Sequence, residues 1–340
     1  MSAHPDLREH LDETAAFAAR NALREAQGVV GTGFAARVLE PSPPAVLDDD
    51  WFADDPVAAA APWGTPIVSP VRGADLTWDA WLRDRPEHVP WAAARWLGGH
   101  RRLPLPPASF AQTRLALHRL AVYVVSPARR RANGKIALRW TFGGIGTPFF
   151  GADEQVRIAG DHLVRQHGAH ARVEPLTTLT AAAGFVLGGP PDVAWAEPFD
   201  VPPAGDPDEP LAVDAAAAAF LGDWYGFATS VLEELRSDPE STDTSRVQVW
   251  PEHFDAAFDS LPGDRRAGFG ASPGDASVGE PYLYVAPFDF GAVPASDVWN
   301  AETFRGAVRP LSEFVDSADQ RADALAFFRR CRDVLRADGS

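Results

Sequence analysis

A chain of 340 residues with 46% apolar content, eleven tryptophans and twenty phenylalanines can build one large core or two medium ones. Its formal charge of −16 argues against a general nucleic-acid binder, which needs a net basic surface, and only the basic 88–152 stretch offers a weaker nucleic-acid reading against it. The single cysteine, Cys331, excludes an internal disulfide, and no run of about eighteen apolar residues offers a membrane span.

The opening residues, Met1-Ser2-Ala3-His4-Pro5-Asp6, lack a basic and then apolar leader, so a cytoplasmic protein is expected. Residues 1–62 read as an N-terminal helix and a connector. Pro5 to Gln27 carries Leu7, Leu11, Phe17 and Ala18 near one stripe, and Gly28 ends it. The connector from Pro41 to Pro62 sets Asp48, Asp49, Asp50, Asp54 and Asp55 around Trp51 and Phe52.

Residues 63–188 read as a β-rich half. Thr77 starts a short helix over Trp78–Arg85, and Trp91–Leu97 continues it after Pro90. Leu115–Val125 has strand composition. Asn133-Gly134 then marks a hairpin turn. After it Ile136, Leu138, Trp140 and Phe142 alternate with Lys135, Ala137, Arg139 and Thr141, which predicts a strand with its apolar face inward and its basic face outward. Further strands are expected near Thr147–Phe150, Gln155–Ala159 and His162–His167, and a short helix over Thr178–Leu187.

Residues 189–212 form a Pro/Asp/Gly-rich linker, and 213–340 the second half. Asp214 caps a helix whose stripe is Phe220, Trp224, Phe227, Val231 and Leu235. Val247–Trp250 reads as a strand and Pro251–Leu261 as a short helix. Gly268–Ala271 and Tyr282–Ala286 form a strand pair, and a helix over Leu311–Leu335 closes the chain. The class is α+β: antiparallel sheets with helices packed on one side, the two halves packed as one compact unit.

The charge is unevenly spread. Between His88 and Ala152 lie nine arginines and Lys135, and no Asp or Glu, while the rest of the chain has 21 basic against 47 acidic residues. Such asymmetry points to an anion-facing surface or to docking against an acidic segment, its own 48–55 or a partner's. If Arg114 and His118 share a strand face beside Lys135 and Arg139, several cationic groups converge. Arg presents a fork that suits carboxylate or phosphate.

A second constellation is Trp250-Pro251-Glu252-His253-Phe254-Asp255, an imidazole between two carboxylates after a strand, as acid–base chemistry requires. Glu252 equally suits a first helical turn. His162, His167 and His170 do not have zinc spacing. Gly28-Val29-Val30-Gly31-Thr32-Gly33 follows a helix, and Gly143-Gly144-Ile145-Gly146-Thr147 lacks the Lys-Ser/Thr of a phosphate loop, so both read as turns and no cofactor is expected.

Two blocks resemble an uncharacterised bacterial family. The first is Leu117-His118-Arg119 with Gly134-Lys135-Ile136-Ala137-Leu138. The second is Val249-Trp250-Pro251-Glu252-His253-Phe254-Asp255, followed by Gly268-Phe269 and Gly279-Glu280-Pro281-Tyr282-Leu283-Tyr284-Val285. The resemblance covers about 111–186 and 246–290; the tryptophan expected soon after the first histidine is absent. It carries no activity, but it implies that His118 and His253 belong to recurring blocks.

The expectation is an aromatic-lined pocket for a small anionic ligand, with Arg114, Arg139, Lys135, Glu252 and Asp255 binding and His118 and His253 as cofactor-free acid–base groups. The alternative is a non-catalytic interaction protein whose basic stretch docks an acidic segment.

Overall fold

A computed structural model describes residues 102–337 apart from 142–143, 149, 151–153 and 168–169. The elements expected at Pro5–Gln27, Pro41–Pro62, Trp78–Arg85 and Trp91–Leu97 lie outside the described residues, as does the acidic run 48–55.

The first described helix, α1 (Phe110–Leu120), passes through a π-helical turn at Ala121–Val125 into α2 (Ser126–Asn133). The strand expected over Leu115–Val125 is therefore helical. Phe110, Thr113, Leu117 and Leu120 recur at helical spacing and are buried, and all five residues of the π turn are buried too. A β-branched run buried on every side stays helical when packing outweighs its propensity. Asn133-Gly134 ends this helix rather than turning a hairpin: Gly134 adopts φ 78°, the left-handed conformation glycine tolerates, and its N–H donates to the Arg130 carbonyl at 2.7 Å.

Five antiparallel strands follow in chain order: β1 (Arg139–Thr141), β2 (Gly144–Gly146), β3 (Glu154–Ala159), β4 (His162–His167) and β5 (His170–Pro175). The glycine run read as a turn is strand β2. Helix α3 (Leu179–Leu187) begins where Thr178 Oγ accepts from the Ala181 N–H. The 189–212 segment then crosses the surface, held by buried Trp195, whose indole donates to the Val122 carbonyl at 3.0 Å.

Helix α4 (Ala215–Ser237) is capped by Asp214, which accepts from the Ala217 N–H at 2.9 Å. Five more antiparallel strands come in order: β6 (Gln248–Trp250), β7 (Asp255–Ser260), β8 (Ala267–Ser272), β9 (Tyr282–Pro287) and β10 (Ala307–Pro310). Helix α5 (Gln320–Arg336) closes the fold. The class is α+β, and the order helix, five-stranded meander, helix occurs twice.

Helix α4 serves both sheets. It packs on β1, β2 and β3 and on β7 and β8, besides α1 and α5. Phe220, Trp224, Phe227, Val231 and Leu235 are all buried, each contributing about 1.5–3 kcal/mol of apolar transfer. The sheets also meet directly: Leu138 and Val249 exchange backbone hydrogen bonds of 2.8 and 2.9 Å.

Three further expectations change. The closing helix, expected from Leu311, starts only at Gln320, and Leu311–Glu313 is a single 3-10 turn. The helix expected over Pro251–Leu261 is a turn and strand β7, because Ala256, Phe258 and Ser260 alternate onto the buried face that meets β8 Phe269 and α5 Phe328. The basic face expected outward on β1 is buried: Lys135 is 9% exposed and Arg139 5%, with Ala137 and Thr141 beside them. On the other face Trp140 donates to the Gly222 carbonyl of α4 at 3.2 Å. Both sides of β1 are thus covered, and period-2 alternation no longer sorts charge to water.

Candidate functional site

The register of the second sheet sets its front face. Trp250 is opposite Asp255, Asp255 falls beside Ser272, and Ala257, Gly270 and Tyr284 align across three strands. The back of this sheet is apolar core. The front carries a short run of polar and aromatic side chains, and α1 approaches it with Arg114 and His118, one helical turn apart and so on one side of the helix.

The turn from Trp250 to Asp255 is held at three points. The Phe254 N–H donates to the Trp250 carbonyl at 2.7 Å, closing the turn. The Phe254 carbonyl accepts from the buried Tyr225 hydroxyl of α4 at 2.8 Å. The Phe254 ring stacks on His118, centroids 4.6 Å apart and planes 8° off parallel, while Tyr225 meets it edge-on at 5.8 Å. Phe254 adopts φ 54°, an unusual conformation for a bulky residue, costing about 1–3 kcal/mol. The stack and the Tyr225 bond hold it there.

His118 Nε2 lies 2.8 Å from the Pro251 carbonyl, which can only accept, so Nε2 carries the proton. Burial pushes this imidazole down to about 4; the Pro251 carbonyl opposes that, and the nearby Arg114 charge adds to it. At neutral pH His118 is a neutral donor that orients the turn.

Asp255 opens β7 and is 6% exposed. One carboxylate oxygen, Oδ2, accepts a hydrogen bond from the Tyr284 hydroxyl of β9. The other, Oδ1, is buried without a hydrogen-bond partner, as is Glu252 Oε2. Burial pushes the Asp255 carboxyl up to about 6; the Tyr284 bond and His253 pull it down, and Glu252 raises it further. Tyr284 keeps part of its ring at the surface, but its hydroxyl is deep, and burial and the Asp255 charge push it well above the usual phenol range. To reach β7 from β9 the Tyr284 ring lies across Gly270 of β8: a Cβ at that position would stand 2.4 Å from ring carbon Cζ. Only glycine allows this crossing.

Arg114 is turned elsewhere. Its guanidinium donates to the carbonyls of Pro273, at 3.2 Å, and Gly279, at 3.5 Å, in the β8–β9 connection. Burial lowers its pKa and the charge of Asp275 opposes that. Asp275 organises the same loop, accepting from the Ser277 and Val278 N–H groups and, at 2.6 Å, from the Tyr282 hydroxyl.

Of the residues singled out in the sequence, Arg114, His118, Glu252 and Asp255 come together here, with His253 exposed on the same turn. Arg114 and His118 arrive from a helix, not a strand. Arg139 and Lys135 lie buried at the start of the first sheet, on the segment that Leu138 bonds to Val249, immediately before the Trp250–Asp255 turn. Tyr225, Asp275, Tyr282 and Tyr284 were not among the candidate site residues, and Phe254 only stood within the Trp250–Asp255 run; the alternating Tyr282-Leu283-Tyr284 on a strand is the signal that both phenols share a face. Among the described residues no group of His, Cys, Asp and Glu could hold a metal ion, and no helix is long and apolar enough to cross a membrane. No family model, curated protein or solved structure matches the chain.

Proposed function

We propose that the described part of the chain is a small-ligand-binding domain, with its site at the Trp250–Asp255 turn and the polar front of the second sheet. The observation that carries this reading is the unpartnered Oδ1 of Asp255 on a side chain only 6% exposed. A buried carboxylate oxygen without a hydrogen bond costs about 1–3 kcal/mol or more. Natural folds keep such a group where a ligand completes it. Around it the sheet supplies the rest of a receptor: aromatic Tyr282 and Tyr284, an organised loop, and a strained turn braced by His118 and Tyr225. Asp255, with a proton affinity near neutrality, is the acid–base group of this site; His118 positions the turn.

The alternative of a basic docking surface draws less support. Of the described arginines in the 88–152 stretch, Arg129 donates to the Ala137 carbonyl at 2.8 Å, Arg130 and Arg131 pair with Asp192, and Arg114 serves the β8–β9 loop. These charges are engaged within the fold.

The test is a thermal-shift screen of the full chain against cationic, neutral and anionic small metabolites, repeated on Asp255→Asn. A ligand class that raises the melting temperature of the parent and not of the variant supports the reading. A screen without response, or responses equal in both proteins, refutes it.

A further inference from the structure

The charge of the site names its ligand class. We infer that the ligand presents a cationic N–H donor, an ammonium or guanidinium group, to the unpartnered oxygens of Asp255 and Glu252; this rests on the ligand-binding reading above. Three observations carry it. First, both open groups are carboxylate oxygens, which accept hydrogen bonds and donate none when ionised. Second, the neighbourhood does not neutralise them. Asp255 faces Tyr284 from β9, Tyr225 from α4, and Glu252 and His253 from its own turn. Arg114, from α1, is committed to the Pro273 and Gly279 carbonyls, His118 is neutral, and His253, which acts on Asp255 from the same turn, is exposed. An anion would meet two carboxylates whose unpartnered oxygens repel it, whereas a cation relieves the repulsion between them. Third, Tyr282 and Tyr284, ring centroids 6.1 Å apart, flank Asp255 on the same face and offer π surfaces that attract cations and repel anions.

The sequence had suggested the opposite sign, from the arginine-rich stretch. Arg114 spends its fork on backbone carbonyls, and Arg139 is inside the first sheet.

The experiment is isothermal titration of the full chain with methylammonium, guanidinium and agmatine, and with phosphate and citrate, at constant ionic strength. It is run on the parent protein, Asp255→Asn and Glu252→Gln, with circular dichroism confirming that each variant is folded. The expected result is binding of at least one cation, weakened at least tenfold by Asp255→Asn and measurably by Glu252→Gln. Affinity should also fall about tenfold from pH 7 to pH 5, because a carboxyl titrating near 6 is mostly ionised at the first and mostly protonated at the second. If phosphate or citrate binds and no cation does, the cationic inference is overturned while the ligand site survives. If a cation binds all three proteins equally, the assignment to these oxygens is overturned. If nothing binds, both readings fail.

Discussion

Gly270→Ala is the sharpest perturbation available at the candidate site. The new methyl carbon would stand 2.4 Å from Cζ and Oη of Tyr284, and 2.5 Å from Cε1. The obstacle is the middle of a ring, fixed by its bond to Asp255 and by the edge of Phe304 at 6.3 Å, so it cannot yield by rotating a flexible tip. Overpacking of this kind costs about 1–3 kcal/mol. Displacing the phenol also breaks a hydrogen bond to a buried carboxylate, about 1.5–3 kcal/mol. Replacing glycine in a strand returns about 0.5–1 kcal/mol. A net loss of about 1.5–5.5 kcal/mol follows, or roughly 3–22 °C in melting temperature for a domain of this size. Urea unfolding followed by tryptophan fluorescence reads it. Gly184→Ala, at an exposed position of α3 with nothing within 4 Å, is the control and should gain up to about 1 kcal/mol. The double variant Gly270→Ala/Tyr284→Ala isolates the clash, since without the ring the methyl is harmless. If Gly270→Ala is as stable as the parent, or if removing the ring does not reduce its cost, the crossing of Tyr284 over β8 is wrong.

Three other outcomes follow. Asp255 and His118 should pull stability in opposite directions with pH. Asp255, raised to about 6, favours the fold below the unfolded carboxyl range near 4 and loses that contribution as pH rises to 6; His118, lowered to about 4, favours it above 6.5 and loses it as pH falls to 4. Asp255→Asn should therefore be more stable than the parent at pH 7, by on the order of 3 kcal/mol from the shift alone, with the advantage vanishing near pH 4 in chemical denaturation. Asp214→Ala removes the cap of α4 and should cost about 1 kcal/mol by the same measurement. Arg139→Ala, at a side chain 5% exposed, should cost about 2 kcal/mol or more in lost packing, far above the value of an exposed strand charge.

What could be read from the chain beforehand followed the strength of local signals. Helix α4 was legible because Asp214 and a five-residue stripe agree, and α3 because Thr178 opens an apolar run before Gly188. The β8–β9 pair was legible because a Gly/Ser/Pro-rich loop separates two short strand-like runs. The α1–α2 region was not: Ala121–Val125 is buried on all sides in its π turn, so the helical spacing of Phe110, Thr113, Leu117 and Leu120 does not continue through it, and composition favoured a strand. The same ambiguity, resolved the other way, turned β7 into an expected helix. The residues of the candidate site were partly visible because the Trp250–Asp255 turn concentrates polar groups in six positions. Their partners were not, because Tyr225, Asp275 and Tyr284 join it only through tertiary register. The doubled helix–meander–helix order leaves no mark in the sequence, because the two meanders share a sequence of pairings and no residue pattern.

The position of α4 between the sheets has a mechanical consequence. Its residues are counted with the second half of the chain, yet they fill the core of the first. A single proteolytic nick in the exposed stretch Asp208–Pro210 would divide the chain before α4 but leave its grip on β1–β3, and Leu138 would remain bonded to Val249. The two pieces should stay together through gel filtration and part only in denaturant. Expressed separately, the piece ending before α4 would expose the apolar back of β1–β3 and precipitate; supplied with its counterpart during synthesis, it should be rescued, as the halves of a split reporter are.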